Sequence, residues 1–266
     1  NVVYDDEDSQ KFQALGKRTL EEAAKMASAV DVRMLTQSRL ATNITNGIIH
    51  AFKEYDASEI IMGLHEKKTD GDKFWGIFTP DLVNQLNRQI ILCRCNRPLN
   101  TLRRILVAVP SRVEFEQGFY RWIERLARLA ENLSCRIIFH GRIESTSLIN
   151  EYIRNQHPGV RAEYVLMEHW KEFTQLAQQM SSDHMLVVIS ARQGTVSYKP
   201  VFERLPLELY RHYHEHNLMV VFPDQNGQSP EDMTFTAPQH HSVDSAYSSI
   251  VNWVMKKIDK GRSDAS

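Results

Sequence analysis

The chain has 266 residues, 42% of them hydrophobic, which is enough for one large or two ordinary domains with proper cores. Its 32 Lys and Arg residues nearly balance 33 Asp and Glu, so it lacks the basic excess of a nucleic-acid binder and no nucleic-acid partner is expected. Apolar runs such as Met185 to Ile189 are strand-sized, well short of the ~20 residues a membrane helix needs. Three cysteines, Cys93, Cys95 and Cys135, are too few and too uneven for a disulfide framework and fit a reducing compartment. The first residues, Asn1-Val2-Val3-Tyr4, carry neither an initiating Met nor a leader, and the chain is read as a piece of a longer protein.

Short apolar runs alternate with longer amphipathic stretches, the pattern of βαβ units on a parallel sheet. Val2 to Tyr4 predicts a strand, followed by the acidic turn Asp5 to Asp8. Lys11 to Ser28 predicts a helix and Val32 to Leu35 a strand. Thr42 or Asn43 is placed to cap a helix carrying Ile44, Ile48, Ile49 and Phe52. Glu59 to Gly63 predicts a buried strand. Thr79-Pro80 then has the form of a helix start, because Pro suits the first helical position. That helix is expected to reach about Asn87, with Ile90 to Cys93 as a strand after it.

A linker, Asn96 to Asn100, leads to a strand at Arg104 to Val109 and a helix from about Glu114 to Leu133. Phe115, Phe119, Trp122, Ile123, Leu126 and Leu129 recur there at helical spacing. Further strands are expected at Ile137 to Phe139, Ala162 to Met167, Met185 to Ile189 and Leu218 to Phe222. Helices are expected at Ser147 to Asn155, Trp170 to Met180 and Phe202 to Tyr213. A loop-like stretch from Asp224 to Val243 precedes a last amphipathic helix, about Ser245 to Lys260. Its apolar face carries Trp253 and is expected to pack on its own domain.

The two halves run in parallel. Glu59 to Gly63 corresponds to the segment around Met185 to Ile189, and Gln89 to Leu92 to Asn217 to Val221, at a nearly constant offset. The second half has five strands and the first has four. The piece lacking is the opening strand and helix, equivalent to about Thr101 to Leu133. The expected units are therefore 1–97, 98–225 and a tail, 226–266.

Gly63-Leu64-His65-Glu66, a nine-residue loop, then Gly76-Ile77-Phe78-Thr79 resembles the nucleotide loop of universal stress proteins. Gly63 and Gly76 fall on the first and third glycine positions of that loop, while Glu66 replaces the second glycine and Ile77 the Ser or Thr. The fold this implies is α/β. It consists of two universal-stress-protein-like units with parallel sheets of order 3-2-1-4-5, the first lacking its opening strand. Loss of that central strand is expected to leave a gap between strand pairs or to make a partner chain fill it. Ser190 to Pro200 with Phe202 to Pro206 is similar to the second-unit loop in the cytoplasmic tails of bacterial monovalent cation/proton antiporters. That resemblance implies a regulatory tail at the cytoplasmic face of the inner membrane. Its expected partners are the membrane transport domain of the same chain and a second copy in a homodimer.

In universal stress proteins backbone N–H groups of a glycine loop leading into a helix attract phosphate. Gly63, Leu64, His65, Gly76, Ile77 and Thr79 would line such a site here, with ATP or AMP as the ligand. Against it, Glu66 sets a negative charge where phosphate would lie, and Asp81 already complements the helix dipole. The alternative is a purely structural loop. In the second unit Ser190, Gln193, Glu203 and Arg204 occupy the motif positions without a glycine, and Val109-Pro110-Ser111 follows the first strand without an acid. His212, His214 and His216 alternate and would splay on a helix, and Cys93 and Cys95 lack metal spacing. No nucleophile–base, paired-carboxylate or zinc-ligand pattern stands out, so no enzyme activity and no metal is expected. Two readings follow: a regulatory domain of an antiporter, or a stand-alone tandem stress protein that binds ATP or AMP.

Overall fold

The computed structural model describes residues 1–64 and 74–225. The chain divides into two compact units. Of the described residues, one unit comprises Asn1–Ala57 with Phe78–Leu82, and the other comprises 58–64, 74–77 and 83–225. The expected tail helix near Trp253 and the pair His240-His241 lie outside the described residues.

In the smaller unit β1 (Val2–Tyr4) pairs in parallel with β2 (Arg39–Ala41), Val3 opposite Leu40. Between them runs α1 (Ser9–Ser28), which buries none of its residues. α2 (Ile44–Glu54) follows. Asn43 caps it as expected, its side chain accepting the Asn46 N–H at 3.0 Å, and Ile44, Ile49 and Phe52 are buried. The strand expected at Val32 to Leu35 does not form, and β2 lies instead at Arg39–Ala41. The three residues of β2 take all the pairing that three-residue β1 offers, leaving Val32 and Leu35 exposed.

The larger unit is built on a seven-stranded sheet of order β3-β4-β9-β8-β5-β6-β7. Its strands are β3 (Glu59–Gly63), β4 (Gln89–Arg94), β5 (Arg104–Ala108), β6 (Arg136–Gly141), β7 (Ala162–Leu166), β8 (His184–Ile189) and β9 (Asn217–Phe222). Every neighbouring pair is parallel except β4 with β9, which run antiparallel with Leu92 opposite Val220. β9 to β7 reproduce the expected order 3-2-1-4-5 read from the far edge. β1 and β2 form a sheet separate from that of β3 and β4, as expected. β3 is an edge strand and not the buried strand its apolar run suggested, since Ile61 is 64% exposed.

The helices of this unit are α4 (Phe119–Asn132), α5 (Ile143–Gln156) and α6 (Leu205–Tyr213), with a 3-10 stretch Trp170–Gln179 where a regular helix was expected. α3 (Thr79–Gln85) precedes β4. The core joins Phe119, Trp122, Ile123 and Leu126 of α4 to Ile105, Val107, Ile137, Phe139, Val187 and Ile189 of the sheet. Each such buried side chain contributes about 1.5–3 kcal/mol of apolar burial. α4 starts at Phe119, later than expected. Val113–Phe115 forms a 3-10 turn instead, and Gly118 precedes the helix. A Cβ on Gly118 would lie 2.4 Å from the Asp224 carbonyl oxygen, so only glycine lets the two backbones meet there. The delayed start gives Glu116 its position at the carboxyl end of β5.

Candidate functional site

The carboxyl ends of β5, β6 and β8 meet at the point where ligands bind in open parallel sheets. β5 continues as Val109, whose N–H donates to the His140 carbonyl at 2.8 Å. Arg112 then turns through φ 68°, a left-handed conformation that costs an ordinary residue about 1 kcal/mol. The turn ends at Glu116, which is buried. Beside it opens a cleft of about 600 Å³, lined by Ser111, Arg112, Glu114, Phe115, Glu116, Gln117, Arg142, Glu144, Ser145, Ser147 and Leu148. Ser145 Oγ donates to Glu114 Oε2 at 2.6 Å on its floor.

β8 continues through Ser190, whose N–H donates to the Val221 carbonyl at 2.8 Å. Arg192 follows and is buried. Its guanidinium donates to the carbonyls of Val83 (3.2 Å), Arg88 (2.6 Å) and Pro223. Burial lowers its pKa to about 10, opposed by attraction to Asp224 and Glu116, so it stays charged at neutral pH. Asp224 is itself ion-paired with Arg121 of α4. Gly194 turns the loop at φ 88° and Thr195 N–H and Oγ1 both donate to the Arg192 carbonyl. Ser197, 1% exposed, then donates both its N–H (2.9 Å) and its Oγ (2.7 Å) to Glu116 Oε1. The loop ends on Tyr198, whose hydroxyl donates to Glu203, and on Phe202, which packs edge-on against Trp170.

The loop after β8 is thus closed by charges of its own chain. Arg192 holds one side by gathering three carbonyls, and Glu116 holds the other by accepting two donors. The four motif positions, Ser190, Gln193, Glu203 and Arg204, all lie between β8 and α6. The residues that hold it, Glu116 and Arg192, were not singled out from the sequence. Glu116 was hidden inside an amphipathic stretch that looked like helix from Glu114 onward. The available signal was Arg192 directly after the apolar run Met185 to Ala191, where a charge needs built-in partners.

The residues expected to line a nucleotide loop in the first half are placed as follows. Gly63 ends β3, and a Cβ there would meet nothing within 4 Å. Leu64 is buried, and its N–H donates to the Cys93 carbonyl at 2.7 Å, so that donor serves the sheet. His65 lies outside the described residues. Gly76 adopts φ 75°, which requires glycine, and Ile77 is 73% exposed. Thr79 is buried in α3 and belongs to the smaller compact unit, whereas Gly63, Leu64, Gly76 and Ile77 belong to the larger one. α3 has seven residues. Phe74 and Trp75, just before Gly76, stack edge to face, and Trp75 also meets Phe222 of β9.

The expected histidine and cysteine readings bear on chemistry too. His212 sits by Glu208 and His214 by Glu215, each on its own side. Burial pushes the Cys93 thiol up to about 12, leaving it protonated and unreactive. Among the described residues no group of three His, Cys, Asp or Glu side chains is placed to hold a metal ion. No described helix is long and apolar enough to cross a membrane.

No protein-family model matches the chain, and no curated protein matches it by sequence. Solved structures do match. A universal stress protein from Archaeoglobus fulgidus aligns with 82% of this chain over 84% of its own, at TM-score 0.54 and 15% identity. The cytoplasmic domain of a prokaryotic cation chloride cotransporter aligns over 84% of both chains, at TM-score 0.51 and 9% identity. A functionally unknown protein from Pseudomonas aeruginosa covers 84% of this chain with 81% of its own, at TM-score 0.50 and 15% identity. The chain therefore has the α/β, mostly parallel fold of universal stress proteins, a fold that the cytoplasmic domain of a transporter shares.

Proposed function

We propose that the chain is a cytoplasmic regulatory domain of a bacterial cation/proton antiporter, made of two universal-stress-protein-like units, 1–97 and 98–225, with a tail. It tunes monovalent cation:proton exchange through dimer contacts with a second copy or through a weakly held ligand, beside the membrane domain of its own parent chain at the cytoplasmic face of the inner membrane. It works by binding and contact, not by catalysis. The observation that carries this reading is the loop after β8, where Arg192 gathers the carbonyls of Val83, Arg88 and Pro223 and Glu116 accepts both donors of Ser197. A loop held by its own side chains suits a scaffold that passes on contacts. The use of the same fold in the cytoplasmic domain of a cation chloride cotransporter supports it.

The test has two arms. In membrane vesicles containing the full-length parent protein, deleting residues 1–266 should change the rate of cation/proton exchange or its pH dependence. Parent proteins without transmembrane helices would overturn the reading. Calorimetric titration with ATP and AMP should give weak or no binding. Tight binding lost in Gly63→Ala and Gly76→Ala variants would instead establish a stand-alone nucleotide-binding stress protein.

A further inference from the structure

We propose that the hollow between the carboxyl end of α5 and β7 binds a small organic monocarboxylate, held by Arg154, Asn150 and the Tyr164 hydroxyl. The hollow encloses about 210 Å³, less than the ~300–1,000 Å³ of pockets that take larger ligands. It lies where α5 ends and β7 begins, at the amino end of the sheet, away from the loop after β8.

Three polar groups converge on it. Asn150 and Arg154 stand four residues apart on α5 and so share a face. Among the described residues no hydrogen bond or ion pair engages either side chain. The Tyr164 hydroxyl is buried and has no partner among the described residues, although buried hydroxyls are normally paired. Its ring is stacked on Phe139 with centroids 5.7 Å apart, which fixes where the hydroxyl lies. Burial pushes its pKa up to about 12, against the pull of Arg154, so it keeps the proton it would donate.

The surroundings select the ligand. Arg154 is the one Arg or Lys among the lining residues, and its planar fork matches both oxygens of a carboxylate. His157, also on the wall, is already engaged by Glu124 at 2.6 Å and Glu131 at 3.7 Å. The last carbonyls of α5 oppose negative charge, so one cation suits a single charge better than the two of phosphate. Ile153, Val160 and Ala162 offer an apolar wall to a short hydrocarbon body. The inference needs neither the transporter nor a nucleotide. Its failure removes this site and leaves the regulatory reading intact.

An amide NMR titration of the whole chain with sodium butyrate tests it. Signals of Arg154, Ala162 and Tyr164 should move saturably, while sodium chloride at equal ionic strength should leave them in place. Arg154→Gln changes an exposed side chain, and Tyr164→Phe keeps the ring on Phe139 and removes only the hydroxyl. Each should raise the half-saturating butyrate concentration at least about tenfold. A parent chain whose signals do not saturate with butyrate, or follow chloride equally, overturns the proposal. So does an undiminished response in Tyr164→Phe. Inorganic phosphate saturating the same signals at a lower concentration than butyrate overturns the assignment to a monocarboxylate.

Discussion

His184 and His216 stand side by side at the amino ends of β8 and β9, each one residue before the paired Met185 and Asn217. Burial lowers the pKa of both below the ordinary imidazole value, and the positive charge of His216 lowers that of His184 further. Asp183 and Glu215 oppose the shift, while Arg104, Arg94 and His214 add to it. His140 on β6 is lowered for the same reason, and its Nε2 is buried without a partner among the described residues. Lowered histidines leave the unfolded chain holding more protons below about pH 6.5, so stability falls as pH drops from there through the folded-state values. Urea midpoints should decline between pH 7.5 and 5.5, and His216→Gln should decline less. A flat profile in the parent protein would contradict this.

A carboxylate governs the more acidic range. Glu124 accepts from His157 (2.6 Å), Tyr152 (2.9 Å) and Arg128 (2.5 Å) between α4 and α5. The hydrogen bond from His157 is the largest cause holding its carboxyl at about 2, with Tyr152 and Arg128 adding to it. A lowered carboxyl gives stability that is full above the ordinary carboxylate range and is lost as pH falls from about 4.5 towards 2. Glu124→Gln should be less stable at pH 7 and should show a shallower loss below pH 4.5, read by circular dichroism.

Two glycines make a matched pair. Gly118→Ala sets a Cβ against the Asp224 backbone. It should cost about 1–3 kcal/mol, since neither backbone can yield cheaply. Gly63→Ala meets open space and should stay within about 0.5 kcal/mol of the parent in denaturant unfolding. A large loss at Gly63 would show that something leans on that strand end.

Arg192→Met should be among the most damaging single changes in the chain. It strands the carbonyls of Val83, Arg88 and Pro223 in the interior, a loss of about 3–5 kcal/mol. Arg192→Lys should recover little, because one ammonium does not reproduce a planar fork reaching three carbonyls. Denaturant midpoints of the two variants check this.

The strands of the second half were legible because their residues obey a local rule: short apolar runs such as Met185 to Ile189 and Leu218 to Phe222 sit between turn residues. The exposure of β3 was not legible. Ile60-Ile61-Met62 reads as buried whether its sheet continues beyond it or stops, and Ile61 faces outward because the sheet stops there. The position of β2 depended on which residues lie opposite β1, a long-range choice that β-propensity at Val32 to Leu35 does not record. In the site, Gly63 and Gly76 were visible as glycines, yet only Gly76 needs to be one. Glu116 and Ser197 were invisible because the bond between them joins two loops far apart in sequence.

The antiparallel seam between β4 and β9 has a consequence for how the chain is made. β9 follows the other six strands of its sheet in sequence, and among the described residues it alone links β4 to β8. While the ribosome is still short of Phe222, β4 has one bare, apolar edge and β8 another, both open to wrong partners. A nascent chain paused before Asn217 should be the form that chaperones hold and that sticks to its neighbours, and arrival of β9 should end that exposure in a single step.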